Sequence, residues 1–211
     1  MVPQSCEACG LWKSCKTYQL RVEVSERTDY EFEETILVVG GFPSQVDDFR
    51  AGVYHKDTLR GQFLREFVLD NLPAKWVLTT AARCYGKEIT PEQYQLCSEN
   101  LAAVISEHKP YIVIALGLDA LASIVGPGTN SSAPIKVEKA SGEIMWVIPS
   151  FPPEDHVGSE ATKKYDGKHN LADHIVALIE WVESLLNKRY SAQECTDERI
   201  FNEEGAIDIA R

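Results

Sequence analysis

Two pairs of cysteines are the residues of this 211-residue chain whose types and spacing suit metal binding. Cys6 and Cys9 form a C-x-x-C near the start, and Cys84 and Cys97 form a wider pair downstream. Two such pairs can converge to place four thiolates around one centre, and soft thiolates select zinc or an iron–sulfur cluster. The wide second pair does not fit a compact zinc ribbon, so it favours a cluster with zinc as the alternative. Cys15 leaves one choice open, because it can replace Cys9 as a ligand or stand outside the site.

The composition is that of an ordinary globular protein. The chain is long enough for one domain with a sizeable core. No apolar run approaches the length of a membrane span, and the first residues lack the apolar core of a signal peptide. We therefore expect a cytoplasmic protein with no membrane contact. In that compartment six cysteines indicate a metal site more often than disulfides, and buried apolar cysteines are the alternative.

The net charge of −11 argues against a strongly electrostatic nucleic-acid binder. Acidic residues concentrate in 24–34 and again in 194–208. We expect a domain over residues 1–188, followed by an acidic segment, 189–211, that is disordered or docks replication or repair proteins. Weak DNA binding would use basic residues near the ends of the predicted strands. The residues expected to contact phosphates are Arg60, Arg83, Lys163 and Lys164.

Four apolar segments predict buried strands, and helical patterns separate them. The strands are expected at 35–40, 76–81, 111–116 and 144–148. The helices are expected at 59–71, at 91–108 behind a Thr90 cap, after Gly117, and at 171–186. This alternation predicts an α/β fold, a three-layer sandwich around a central, mainly parallel four-stranded sheet. Ligands of such sheets bind outside the carboxyl ends of the strands.

The order of several motifs carries further information. The C-x-x-C-x-L at Cys6 comes first, and the strand end 40–44 then precedes the acidic pair Asp47 and Asp48. A G-Q-F-L helix start, a T-P-E before Cys97, and an A-L-G at 115–117 follow. Over roughly residues 5–187 this order resembles the family-4 uracil-DNA glycosylases, the iron–sulfur branch of that superfamily. The resemblance implies a uracil-DNA glycosylase-like fold with a 4Fe–4S cluster held by Cys6, Cys9, Cys84 and Cys97.

The resemblance also implies a base pocket, and the sequence departs from the family there. The implied pocket residues are Gly41, Phe42, Pro43, Tyr54, Thr80 and Pro152. The family's water-positioning acid is Gly41 here, its uracil-reading Asn is Thr80, and its catalytic His is Pro152. A Thr hydroxyl reads less of a uracil edge than an Asn amide, and proline offers no donor.

Other residues near the strand ends are candidates to replace the lost groups. Asp47 or Asp48 would orient water, and His156 beside Asp155 would restore a donor. The aromatic side chain that stacks on the base is Tyr54, or His55 if the residue inserted nearby shifts the motif.

Four functions, of three classes, are compatible with these residues. The first is a uracil-DNA glycosylase-like protein, phage or bacterial, that acts on or binds DNA with weak or no uracil excision. The alternatives within this fold are a glycosylase for another modified base and a protein-docking module of a replication or repair assembly. A third class is a redox or zinc-bound structural protein, in which the metal centre itself would be functional.

Overall fold

The computed structural model describes residues 4–17, 22–139, 142–155 and 171–197. Its sheet has the strand order β1-β3-β2-β4-β6-β5. The strands are β1 (Glu23–Val24), β2 (Phe32–Gly40), β3 (Ala74–Thr80), β4 (Ile112–Leu116), β5 (Ile135–Glu138) and β6 (Ile144–Ser150). The four central strands are mutually parallel, and β1 and β5 pair antiparallel at the two edges.

The sheet is therefore larger than the four-stranded sheet expected from the sequence. The four expected strands form its parallel centre, and the two edge strands were not predicted. β1 has only two residues and lies at the start of the acidic stretch 24–34, and β5 alternates half-buried Ile135 and Val137 with exposed Lys136 and Glu138. Short, charged edge strands are common because they discourage pairing with other chains. They lack the continuous apolar run that marks a central strand.

Six α-helices are described. They are α1 (Gln4–Cys9), α2 (Gln45–Arg50), α3 (Leu59–Phe63), α4 (Pro91–His108), α5 (Leu118–Val125) and α6 (Leu171–Asp197). α4 begins as the sequence predicts, with Thr90 and Gln93 forming a reciprocal capping box before Pro91 in the first turn. α6 continues past residue 188, so the expected domain boundary falls within this helix. No helix among the described residues has the length and apolarity needed to cross a membrane.

The helical segment expected at 59–71 is present, but it is not a regular α-helix throughout. α3 continues into a π-helical turn, Leu64–Val68, and a 3-10 turn, Leu69–Asn71. Leu64, Val68 and Leu69 are buried, whereas Leu59 and Phe67 are exposed. The wider π turn shifts the angular position of the residues that follow it.

Alternation along the central strands builds a core on each face of the sheet. In β2, Ile36 and Val38 pack on one side, with α6 and segment 64–72. Leu37 and Val39 pack on the other side, with α4 and α5. Successive strand residues point to opposite faces, so a continuous apolar run serves both cores. Helices thus cover both faces of the sheet. The carboxyl ends of the four parallel strands all lie on the same side of the molecule.

Candidate functional site

Four cysteines that are distant in sequence line one small cavity. α1 carries Cys6 and Cys9, the loop after β3 carries Cys84, and α4 carries Cys97. Cys6 and Cys84 are buried, and Cys9 and Cys97 are half-buried. The remaining lining residues are Leu11, Trp12, Leu96 and Asn100. The lining thus combines four thiols with two leucines, one indole and one amide, and it contains no imidazole or carboxylate.

Hydrogen bonds and packing hold the N-terminal segment in this position. The Gln93 side chain donates to the Cys9 carbonyl at 3.4 Å. Leu11 packs so close to Gly86 that a Cβ there would stand 2.9 Å from Leu11 Cδ2. Asp48 accepts hydrogen bonds from the backbone N–H groups of Lys16 and Thr17, both at 2.7 Å. Asp48 therefore anchors the loop that follows the first cysteine pair to α2.

The thiols influence one another's protonation. Burial raises the pKa of the Cys97 thiol, hydrogen bonds from the Arg83 backbone and the Asn100 side chain oppose this, and Cys6 and Cys9 raise it further. Asn100 Nδ2 lies 3.6 Å from Cys97 Sγ. Since metal ligation needs thiolates, a bound cation would have to reverse this rise in pKa.

Cys15 also reaches this group of thiols, although it does not line the cavity. Its thiol donates to the Trp12 carbonyl at 3.4 Å. Burial raises its pKa, and a hydrogen bond with Cys84 opposes that rise. The two candidate ligands therefore differ in position: Cys9 lines the cavity, whereas Cys15 lies outside the lining and next to Cys84.

The donor set fits an iron–sulfur cluster or zinc, because both take four thiolates. Across the described residues, no group of three or more His, Cys, Asp or Glu side chains is arranged to hold a single metal ion. The agreement with a four-thiolate metal centre therefore rests on the type of the donors, the four cysteines that line the cavity.

A cleft of about 980 Å³ opens at the carboxyl ends of the parallel strands. The ends of β4 and β6 and the turn after β2 contribute to its lining, together with side chains from α5 and α6. The residues lining it that bear on chemistry are Gly41, Phe42, Tyr54, Arg60, Asp119, Ser150, Phe151, Pro152, Glu154, Asp155, His174 and Trp181. This is the place at which ligands bind in parallel α/β sheets.

Four of the six residues expected in a base pocket line this cleft: Gly41, Phe42, Tyr54 and Pro152. Pro43 is buried and lies outside the lining. Thr80, at the end of β3, is also outside it, is 1% exposed, and its hydroxyl has no hydrogen-bond partner among the described residues. Thr80, which the resemblance aligns with a uracil-reading residue, therefore does not face the cleft.

Tyr54 is fully enclosed. It has a positive φ of 45°, and its ring packs on Gly40 so tightly that a Cβ there would stand 2.3 Å from Tyr54 Oη. Burial raises its pKa well above the usual value, and the nearby Glu154 and Tyr94 raise it further. The Arg60 guanidinium stacks on the ring, 4.8 Å from its centroid. His55 is half-buried and outside the cleft lining.

Arg60 is held by carboxylates on two sides. It pairs with Asp47 and with Glu154, and only 14% of its side chain is exposed. Burial lowers the pKa of its guanidinium, and Glu154 raises it. Arg60 was expected to contact phosphates, but here its charge is neutralised inside the molecule while it covers the face of Tyr54.

The two carboxylates expected to orient water have structural partners. Asp47 completes the capping box of α2 with Ser44, and it also accepts the His55 N–H at 2.8 Å. Asp48 binds the loop after the cysteines, as described above. Neither side chain lines the cleft.

Two polar residues of the cleft were not predicted from the sequence. Asp119, in the first turn of α5, accepts a hydrogen bond from Tyr94 Oη at 3.2 Å. His174, on α6, lies 3.1 Å from Ser150 Oγ, and its ring packs edge-on against Phe151. Burial lowers the pKa of His174. One signal was present in the sequence, because His174 precedes Leu178 by one turn on the apolar face of the helix.

The other expected DNA contacts are only partly described. Arg83 is half-buried, and its backbone serves the cysteine site through Cys97. His156, Lys163 and Lys164 lie outside the described residues. No protein-family model matches this chain, and a search of curated proteins finds no match.

Proposed function

We propose that this protein is a uracil-DNA glycosylase-like iron–sulfur protein that binds DNA and excises uracil weakly or not at all. The observation that carries the proposal is the meeting of Gly41, Phe42, Tyr54 and Pro152 in one cleft at the carboxyl ends of the strands. These positions come from three separated parts of the chain, and each was assigned to a base pocket by its motif. A base extruded from DNA needs such a concave site with aromatic walls.

Three features of the same cleft argue for weak action on uracil. Thr80 is buried outside the lining, so no amide stands at that position to pair with a uracil edge. Pro152 lines the cleft without a donor for the departing base. Arg60 covers the Tyr54 ring on which a base would stack.

The cysteine site supports the iron–sulfur part of the proposal. Cys6, Cys9, Cys84 and Cys97 would hold a 4Fe–4S cluster, which would tie the N-terminal segment to α4 and to the loop after β3. The cysteine cavity and the cleft share no lining residue. We therefore assign the cluster a structural role.

Oligonucleotides that carry a single uracil test the proposal, in single-stranded and duplex form. Base release is scored by alkaline strand scission, and DNA binding by fluorescence anisotropy at low salt. We expect detectable binding, with uracil release at least about 100-fold slower than by an active family-4 enzyme assayed alongside, since losing one charge-stabilising donor typically has that effect. A thymine oligonucleotide gives the background.

Two results would contradict the proposal. Uracil release at the rate of the active enzyme would show that the pocket reads uracil without the Asn and His. Failure to bind DNA at low salt would favour a protein-docking module with the fold of a glycosylase.

A further inference from the structure

We propose that Asp119 and His174 are the catalytic carboxylate and imidazole of the cleft. In this proposal they hydrolyse the N-glycosidic bond of a purine that carries amino groups or a positive charge. The inference rests on the proposed function, because it assigns chemistry and a substrate class to the same cleft. It follows from the way in which two distant elements place these side chains beside the positions where the family motifs are altered.

Asp119 lies where a carboxylate is missing from the turn after β2. A Cβ built on Gly41 would stand 3.6 Å from Asp119 Cβ and 3.9 Å from its Oδ2. Asp119 therefore lies in van der Waals reach of the place that a side chain at position 41 would occupy. The hydrogen bond from Tyr94 Oη fixes Oδ2, and the exposed Asp119 lines the cleft. α5 thus delivers to this point the functional group that β2 lacks.

His174 has the corresponding relation to the end of β6. Its Nε2 lies 3.1 Å from Ser150 Oγ, and its ring contacts Phe151, the residue before Pro152. The imidazole is half-buried and lines the cleft. α6 therefore supplies a hydrogen-bonding ring at the strand end where the chain has proline.

Both groups line the same cleft, which leaves room for a substrate beside them. Asp119 follows the end of β4 by three residues and neighbours the turn after β2, whereas His174 lies at the end of β6. The cleft volume of about 980 Å³ is large enough for a nucleoside and a water.

The reaction balances with water as the only co-reactant. The water oxygen bonds to C1′ while the C1′–N bond breaks, and the electron pair of that bond leaves on the base nitrogen. Asp119 takes the proton from the water, as a general base, and then releases it to solvent. A cationic base leaves neutral and needs no acid, whereas a neutral base leaves with a proton from the imidazolium form of His174, which solvent then replaces.

The charge and size of the cleft indicate the class of base. Asp119 and Asp155 line it together with Glu154, which pairs with Arg60, and three neutral polar residues, Asn130, Ser131 and Ser132, add to the polar lining. Ionised carboxylates only accept hydrogen bonds, so they favour amino groups and positive charge over the carbonyl oxygens of uracil or xanthine. A volume of about 980 Å³ is at the upper end of the range for ligand sites and admits a purine nucleotide. Phe42, Phe151 and Trp181 offer apolar surface for a ring.

Duplex DNA treated with dimethyl sulfate, which carries cationic methylated purines, is the main probe. Oligonucleotides with N6-methyladenine, uracil or xanthine are compared with it, and released bases are quantified by chromatography. The variants are Asp119→Asn and His174→Gln. Asp173→Asn is the matched control, since Asp173 also stands in the first turn of a helix but is outside the cleft lining. Thermal melting checks folding, and anisotropy on the same DNA checks binding.

We expect release of methylated purines with binding retained, and Asp119→Asn should reduce the release of every base about 100-fold or more. His174→Gln should reduce the release of the neutral N6-methyladenine by a similar factor and leave that of the cationic purines nearly unchanged, since those bases leave neutral. Asp173→Asn should match the unaltered protein. Undiminished release of any base by Asp119→Asn, or of N6-methyladenine by His174→Gln, would overturn the role of that residue. DNA binding without release of any base would overturn the inference and leave the proposed function standing. Preferential release of uracil would instead overturn the proposed function, together with the substrate class.

Discussion

Cys15 places a fifth thiol beside a set of four. Cys15 forms a hydrogen bond with Cys84, which also lines the cavity. Cys84 therefore lies next to thiols of the cavity and next to a thiol of the loop after α1. Asp48 binds Lys16 and Thr17 immediately after Cys15, so the position of this thiol is fixed by α2. Cys9 is instead positioned by α1 and by Gln93. The two candidate ligands are therefore held by different parts of the fold, which makes single substitutions informative.

Substitution of the cysteines tests the ligand set residue by residue. Protein purified without oxygen should be brown and contain iron and inorganic sulfide, because four thiolates suit a 4Fe–4S cluster. Cys6→Ala and Cys84→Ala should lose most of the iron, and Cys9→Ala should lose it as well. Cys15→Ala and Cys195→Ala should retain it. Colourless protein with one zinc per chain would refute the cluster. Loss of iron in Cys15→Ala with retention in Cys9→Ala would show that Cys15, and not Cys9, is the fourth ligand.

Gly40, at the end of β2, packs very tightly against Tyr54, in the loop before α3. A Cβ at Gly40 would stand between 2.3 and 2.8 Å from three atoms of the Tyr54 side chain. The ring cannot retreat, because it is 2% exposed and Arg60 covers it. A Cβ at Gly41, one residue later, would have Tyr94 Oη as its nearest atom, at 3.3 Å. The two adjacent glycines thus differ sharply in how much room they have.

Gly40→Ala should lower the free energy of unfolding by about 1–3 kcal/mol, the usual effect of overpacking a filled core. Gly41→Ala is the control and should have a clearly smaller effect, since its nearest neighbour is a partly exposed hydroxyl. Urea denaturation followed by tryptophan fluorescence measures both. Equal stability of Gly40→Ala and the unaltered protein would show that Tyr54 is free to move.

Elements were predictable from the sequence where local signals agree. The four apolar runs gave the parallel strands, and Thr90 with Gln93 marked the start of α4. The location of the cleft was also predictable, because strands that alternate with helices form a parallel sheet, and ligands of such sheets bind outside the carboxyl ends of the strands. Asp119 follows the A-L-G at the end of β4, and His174 lies on the apolar face of α6, but neither position indicates by itself that the side chain lines the cleft. That placement depends on how α5 and α6 pack, which is a tertiary property.

At the scale of the whole molecule, the described arginines are largely paired with carboxylates. Ion pairs of this kind are formed by Arg27, Arg50, Arg60, Arg65 and Arg189. Together with the net charge of −11, this limits the surface on which phosphates can bind. We therefore expect weak DNA binding that decreases steeply as salt is added. The acidic C-terminal segment should oppose DNA binding further, because both carry negative charge.

Deletion of residues 191–211 tests whether this segment masks a DNA-binding face. It removes six acidic and two basic residues. The shortened α6 keeps the ion pair between Arg189 and Glu34 and the hydrogen bond from the Glu33 N–H to Tyr190 Oη, so the helix should stay docked on β2. Anisotropy at low salt should show tighter DNA binding after deletion, and the gain should shrink as salt shortens the Debye length. A full-length variant with the six acidic residues changed to amides should reproduce the gain, since it alters charge without length. Equal affinity of all three proteins would remove self-masking and favour a docking role for the segment.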